Sequence, residues 1–399
     1  MIAFDDVKST FHKLTLFFIV LTAFSVNLHA RYTDISLALL LICWLCSFDY
    51  PEKWKAIWAN PGGRITLFLF ILIGAGALYS PDNLLNGLHW WGRYHALLYT
   101  LIIISVLNND KYRAYALHAF MASSLLVLIL SYGKWLGFVP LDFTLDTTDQ
   151  GYVVFKYRIA QSIFLSFAVY MMLLKGMQSV RWLKWTWYML GLLSVLNICF
   201  LVNGRSGVLT LIALSILFVI EKKCLRCFIV GCVLISLLGI ISLSKPNLTA
   251  DIKKITNVQT RVTGDMDERY EFWRNTIELS RKHLWFGNGT GSLEADYKNI
   301  PLEEKPIHPQ DVSNPHNQYV LILHDLGLFG FFALMAYWGS HFKMSFTLKN
   351  NAHGDYLRGL ILVIMVSSIF NCMLLAGEGK FYFILAGILL SGYKRTQQK

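Results

Sequence analysis

Residues 183–221 read LKWTWYMLGLLSVLNICFLVNGRSGVLTLIALSILFVIE. Two apolar runs, 183–203 and 207–221, meet at the turn Asn203-Gly204-Arg205-Ser206-Gly207. A run of about 20 apolar residues is what a helix needs to cross a hydrocarbon core. The turn between these two is too short to hold anything but a hairpin. The pattern recurs along the chain, with short charged connectors. Helices are expected over 13–30, 33–48, 64–80, 90–108, 115–138, 158–175, 183–203, 207–221, 227–244, 317–342, 357–376 and 380–394. Hydrophobic residues make up 55% of the 399 positions and charged residues 15%, against roughly 25% charged in soluble domains. The expected fold class is an all-α polytopic membrane protein with about 12 transmembrane helices and one long loop. Helices one to nine would occupy 1–244, the loop 245–316, and helices ten to twelve 317–399.

A net charge of +11 suggests nucleic acid in a soluble protein. Its distribution explains it otherwise, and no nucleic-acid partner is expected. With both termini cytoplasmic, the inner side holds nineteen basic residues, among them Lys53, Arg113, Lys222, Arg358 and Lys394. The short outer loops hold seven: Arg31, Arg93, Lys134, Lys156, Arg158, Arg205 and Lys380. The inside-positive bias then turns the long loop outward. That loop carries ten basic and eleven acidic residues, so anion binding there must come from particular arginines. The first apolar run resembles a signal peptide ending at Ala30, but cleavage would break the alternation, so a retained helix is expected. All seven cysteines lie in or beside expected helices. Cys43-x-x-Cys46 and Cys224-x-x-Cys227 have redox or metal spacing, yet no histidine flanks them, and packing is the expected role.

The long segment, Lys245 to Tyr319, carries the chemistry-bearing residues. Asp265 to His283 reads as a helix capped by Asp265 or Asp267, with Tyr270, Trp273 and Ile277 as its apolar stripe. Arg269 lies beside that stripe, while Arg274, Arg281 and Lys282 read as solvated or facing headgroups. Asp265-Met266-Asp267 has the form of a metal-binding D-x-D, but two acids at a helix start are expected from capping alone. A glycine cluster follows at Gly287-Asn288-Gly289-Thr290-Gly291. Asn314-Pro315-His316 then reads as an N-cap, a proline at the first helical position and a histidine in the first turn. A helix N-terminus disfavours imidazolium, which leaves the His316 ring able to accept a proton. His324 and Asp325, two turns further on, must face the bundle interior, as a structural pair first and a site feature second.

Elsewhere, Arg93 lies among Trp90, Trp91 and Tyr94 in an expected interfacial belt, as a snorkelling arginine or an anion ligand. Residues 139–157, with Asp142, Asp146 and Asp149, form a second outer loop. Arg205, between two glycines that permit positive φ and close approach, reads as a headgroup anchor or a phosphate ligand. Glu378 and Lys380 form the last outer turn, where an acid would orient a base, balance the arginines or simply be solvated.

The ordered set N-G-R-S-G at 203–207, Arg269 before Tyr270 and Trp273, L-W-F-G-N-G-T-G at 284–291 and P-H-N-Q-Y-V-L-I-L-H-D-L-G-L-F-G at 315–330 resembles the O-antigen ligase and polymerase superfamily of bacterial envelope glycosyltransferases. The resemblance covers roughly Leu190 to Glu378 in motif detail. It implies a multi-span transferase of the inner membrane, working at the periplasmic face without metal, nucleotide or other cofactor. Its donor would be an undecaprenyl-diphosphate-linked O-polysaccharide and its acceptor the lipid A–core. Carried onto this sequence, His316 is the implied general base. Arg205 and Arg269, with Arg93, are the implied diphosphate ligands, and Glu378 is the acid near the last helix. Asn317 and Tyr319 are placed beside the acceptor or behind the base. Many relatives have Asp where Glu378 stands and Glu where Asp325 stands. The polymerase branch, and a flippase of lipid-linked glycans, are the competing readings.

Overall fold

The computed structural model describes residues 4–81, 83–140, 151–222, 265–298, 314–348, 350–375 and 377–393. The expected helix at 227–244, Cys224, Cys227, Arg261 and the acids Asp142, Asp146 and Asp149 lie outside the described residues. Among those described there is no β-strand, and the chain is an all-α polytopic membrane protein. Its helices are α1 (Phe4–Ser25), α2 (Ala30–Cys46), α3 (Tyr50–Ala59), α4 (Pro61–Ala77), α5 (Leu84–Gly92), α6 (Ala96–Val106), α7 (Asp110–Trp135), α8 (Arg158–Gln178) and α9 (Arg181–Leu196). There follow α10 (Arg205–Lys222), α11 (Asp265–Ser280), α12 (Leu293–Lys298), α13 (Gln318–Ser345), α14 (Asn351–Ser367) and α15 (Lys380–Leu390).

Five of these, α1, α7, α8, α9 with its π-helical extension to Val202, and α13, are long and apolar enough to cross a membrane. The pair α2 and α3, bent by 114°, makes a sixth if taken together. Among the described residues that is fewer full-length spans than the eleven expected there, for a physical reason: several apolar runs are interrupted. The run expected at 90–108 is two helices, α5 and α6, separated by a turn at Arg93–His95. The run expected at 357–376 stops at Ser367, and residues 368–375 form turns. The final helix, α15, has 11 residues, or about 16 Å of rise, roughly half the hydrocarbon thickness. All ten of its residues from Phe381 to Leu390 are buried. Irregular backbone at such depth is tolerated where protein buries it or where it lines a cavity, so the breaks mark where the bundle does something other than span.

The core centres on α8, buried along most of its length. Phe381 of α15 stacks on Phe164 of α8 at 4.4 Å between ring centroids and lies 5.6 Å from Phe120 of α7. Long-range bonds sort into two ends. At one end, Lys222 pairs with Asp355 at 2.5 Å, and Asn60 Nδ2 donates to Leu390 O at 2.9 Å. There too Arg358 is held by Glu221 and Asp355. Those partners answer the desolvation cost of a buried guanidinium, which unpaired would be several kcal/mol. At the other end, Tyr79 Oη donates to Phe286 O at 2.6 Å, Lys380 pairs with Asp34, and the breaks at Arg93–His95 and 368–375 collect. That second end carries the candidate site.

Candidate active site

The deepest part is a break in α13. Gly327 adopts φ 64° and ψ −161° inside the helix, a conformation open in practice to glycine alone. An unbroken helix would have Leu328 and Phe329 donate to His324 and Asp325. Instead Leu328 N–H donates to Leu284 O at 2.8 Å and Phe329 N–H to Trp285 O at 3.1 Å. The vacated carbonyls are taken by the glycine cluster: Asn288 N–H donates to His324 O at 2.8 Å and Gly289 N–H to Asp325 O at 2.9 Å. Residues 284–289 are thus spliced into the α13 ladder, which gives partners to the two N–H groups and two carbonyls that the break would otherwise orphan.

Side chains lock the splice. The His324 ring, fully buried, lies with Nε2 3.0 Å from Asp296 Oδ2 and Nδ1 3.1 Å from Asp325 Oδ1. Asn288 Nδ2 donates to the same Asp296 oxygen at 2.9 Å. Burial alone would raise the Asp296 carboxyl, but the His324 and Asn288 hydrogen bonds outweigh it and hold its pKa below the ordinary value. His324 and Asp325 do face the interior. Asp296 has no local signature in the sequence, because only folding brings it to His324.

His316 sits one connection above. The cap was expected at Asn314, with His316 in the first turn, but α13 begins at Gln318, within a residue of the expected range 317–342, and His316 lies before it. Asn317 is the cap, its Oδ1 accepting from Tyr319 N at 3.0 Å and Val320 N at 3.1 Å. Tertiary bonds decide this. Trp273 Nε1 takes the Pro315 carbonyl at 2.9 Å, and Gln318 N–H goes to Ser368 O at 2.8 Å. Neither group is left for a helical turn starting at Asn314. Asn314 Oδ1 instead accepts from His316 N–H at 2.8 Å, and His316 adopts φ 51°, an uncommon value for a residue with a Cβ. The segment after α14 closes around this turn: Leu374 N–H donates to Gln318 Oε1 at 2.8 Å, and the buried Cys372 thiol lies against the main chain of His316 and Asn317. The Tyr94 hydroxyl faces Gln318 within the field of Arg93, whose guanidinium stacks on Trp90 at 4.4 Å. Asn317 and Tyr319 spend polar atoms on the fold, Tyr319 Oη donating to Met365 O at 2.8 Å.

Arg269 belongs to this group through α11. It precedes Trp273 by one turn on the same face, so the bond from Trp273 to Pro315 fixes the helix carrying it against the His316 turn. The buried stripe of α11 is Phe272, Thr276 and Ser280, not the expected Tyr270, Trp273 and Ile277; Tyr270 is 66% exposed. Phe272 packs against Tyr297 at 6.4 Å, and its carbonyl accepts from Tyr297 Oη at 3.0 Å, which sets the rotation of the helix. The side chains of Asp265 and Asp267 lie outside the described residues.

Arg205 stands in a second group. Positive φ in its turn falls on Asn203, at 58°, and not on the flanking glycines. Those serve packing: a Cβ on Gly204 would lie 2.3 Å from Ser162 Oγ and one on Gly207 2.4 Å from Ser162 Cβ. Ser166 Oγ of α8 donates to Gly207 O at 3.0 Å. The turn is therefore pressed on the first turns of α8, and Arg205 opens α10 beside Arg158. Glu378 lies in a 3₁₀ turn, Gly377–Gly379, and its charge acts on Lys156, together with Lys380 and Asp34. The described contacts join the helix of Arg269 to the His316 turn through Trp273 and bring Arg93 near Cys372 beside that turn; separately, Glu378 acts on Lys156, whose segment bonds through Tyr152 to Leu201, ahead of the Arg205 turn. Tyr94 and Gln318 fall in stretches the sequence singles out, but their places here, like that of Cys372, are recognised by contact alone.

No curated protein matches the chain significantly. Residues 190–335, which hold Arg205, Arg269, the glycine splice, His316 and the His324 lock, match the family described as O-antigen ligase.

Proposed function

We propose that the protein is an O-antigen ligase that moves an O-polysaccharide from undecaprenyl diphosphate to a sugar hydroxyl of the lipid A–core at the periplasmic face of the inner membrane. The observation that carries this reading is the family match over the segment in which Trp273 fastens the Arg269 helix to the His316 turn. His316 takes the proton of the acceptor hydroxyl as its oxygen attacks the anomeric carbon. The bond from that carbon to the phosphate oxygen breaks, and its electron pair leaves with the diphosphate. Attack from the opposite face inverts the anomeric centre. Arg205, Arg269 and Arg93 present fork-shaped donors, matched to phosphate oxygens, to the growing charge on the leaving group. Glu378 balances the neighbouring cations. Both termini are cytoplasmic in this reading, in keeping with the inside-positive distribution of Lys and Arg.

The test uses purified protein with undecaprenyl-diphosphate glycan and lipid A–core, the products resolved by size. Capped core, absent with His316→Ala, is the expected result. Elongated lipid-linked glycan with untouched core identifies a polymerase, and unchanged donor and core with the glycan moved across a vesicle membrane identifies a flippase.

A further inference from the structure

We propose that the end of the bundle opposite the candidate active site binds the headgroup of a phospholipid that carries both a phosphate and a primary ammonium. A cavity of about 440 Å³ lies there between α1, the α2–α3 corner, α3 and the C-terminal ends of α6 and α15. Small-molecule sites commonly enclose roughly 300–1,000 Å³. Its neighbours place it at headgroup level. The chain bends by 114° between α2 and α3. Lys53 and Ile57 are buried on one face of α3, while Trp54 and Trp58, edge to face at 5.6 Å, stay half exposed on another. Tryptophans so placed mark a helix that lies in the membrane interface. The cavity is on the protein side of that helix, where the buried Lys53 lines it.

The lining carries both signs of charge. Lys53 Nζ donates to the Trp44 carbonyl and lies 4.6 Å over the Trp44 ring. That bond uses one of the three N–H groups of an ammonium, and the others, with the His12 ring on the same cavity, suit phosphate oxygens. Opposite in charge stand Glu52 and Asp49. Glu52 makes no hydrogen bond or ion pair among the described residues. Asp49 holds the N-cap position of α3 without capping it, and its carboxylate pairs instead with Lys8 at 2.7 Å. The end of α6 adds carbonyls. Asn108 N–H turns back to Val106 O at 3.0 Å, so among the described residues the Ile104 and Ser105 oxygens accept no hydrogen bond. A helix C-terminus also carries partial negative charge. A primary ammonium brings three donors to such acceptors, and a quaternary one brings none. A nucleotide or free polyphosphate would set several negative charges against Glu52 and Asp49, whereas a zwitterion matches both signs. The half-exposed tryptophans on α3 favour a headgroup borne by a lipid over the same group free in solution. Bound there, the lipid bridges α3 and the end of α6.

The experiment is native mass spectrometry of the full-length protein in detergent, titrated with phosphatidylethanolamine, phosphatidylcholine or phosphatidylglycerol of identical acyl chains. The ethanolamine lipid is expected to bind several-fold more tightly than either of the others. Glu52→Gln, at an exposed position, is expected to bring it down to the level of the choline lipid. Ala56→Phe, which fills the cavity, is expected to do the same, with melting curves run alongside both variants. Equal binding of the three lipids by the wild type overturns the inference. So does a preference that survives Glu52→Gln, or one that survives Ala56→Phe in protein that melts like the wild type. Water-soluble phosphoethanolamine at equal concentration is expected to leave the lipid bound, and displacement overturns the lipid as occupant in favour of a free zwitterion.

Discussion

Trp273 Nε1 donates to the carbonyl of Pro315 at 2.9 Å, across 42 residues of chain that include everything between the Arg269 helix and the His316 turn. Trp273→Phe keeps the ring area and removes the donor. The buried Pro315 oxygen then loses its partner, at a cost of ~1–3 kcal/mol, and α11 is free to shift against α13. The expected outcome is a modest fall in melting temperature with a kcat loss of ~10-fold or more, since small displacements at a reacting group are expensive. Kinetics beside a thermal unfolding curve separate the two, and an unchanged kcat would detach Arg269 from the His316 turn.

The splice in α13 makes a stability prediction independent of function. At Gly327 an alanine would need a conformation that L-residues avoid, and its Cβ would lie 2.4 Å from the Trp285 carbonyl carbon. Gly327→Ala is expected to destabilise by ~3 kcal/mol or more, combining strain and overpacking. Loss of monodisperse protein on size exclusion, or a large drop in melting temperature, checks it. Gly339→Ala, in the same helix where a Cβ meets nothing within 4 Å, is the matched control and should be neutral or mildly stabilising.

The lock on that splice has a pH signature. Asp296 titrates below its ordinary value in the folded protein. A depressed carboxylate contributes stability that is present above its unfolded pKa and is lost as pH falls through the folded one. Asp296→Asn removes the contribution at neutral pH, by ~1 kcal/mol once discounted for its partial exposure. The wild type should therefore melt higher than the variant at pH 7, and the gap should close below about pH 4. A gap that persists in acid would mean that packing, and not the His324 hydrogen bond, is what the substitution disturbs.

These sites differ in how far a sequence can announce them. Long apolar runs such as 158–178 and 318–345 declare helices because only helices satisfy their backbone in lipid. Arg205 stands out because polar residues are few around it, and Arg269 and His316 because they fall in the one long polar segment of an otherwise apolar sequence. The break at Gly327 does not, since Leu326-Gly327-Leu328 reads as ordinary helix until Leu284 and Trp285 compete for its N–H groups. The start at Gln318 agrees with the expected 317–342, but the cap does not. The cap expected at Asn314-Pro315 gives way to Asn317 because Trp273 and Ser368, distant residues, claim the intervening backbone. The glycines of 203–207 were legible as necessary, but their reason, the approach of Ser162, belongs to tertiary packing.

That approach yields a reciprocal test. Gly207→Ala puts a methyl 2.4 Å from Ser162 Cβ, which forces α10 off α8 at ~1–3 kcal/mol and displaces the Arg205 turn. Ser162→Gly removes the opposing side chain. The double variant is expected to recover much of the lost melting temperature, with the remainder due to the Ser162 backbone carbon 2.9 Å away. Additive losses in the double variant would show that the two residues do not meet.

His316 permits a separation of backbone from chemistry. Its left-handed φ of 51° is tolerated by asparagine better than by most residues, so His316→Asn should fold and melt like the wild type. Asparagine accepts no proton, and a general base of this kind contributes roughly 10²- to 10⁴-fold to rate. Capping of the lipid A–core should fall by that factor while undecaprenyl diphosphate binds with unaltered affinity. His316→Ala, less suited to positive φ, should lose both rate and some stability. If His316→Asn caps core at the wild-type rate, the proton passes to another group, and His316 holds only the turn between α11 and α13.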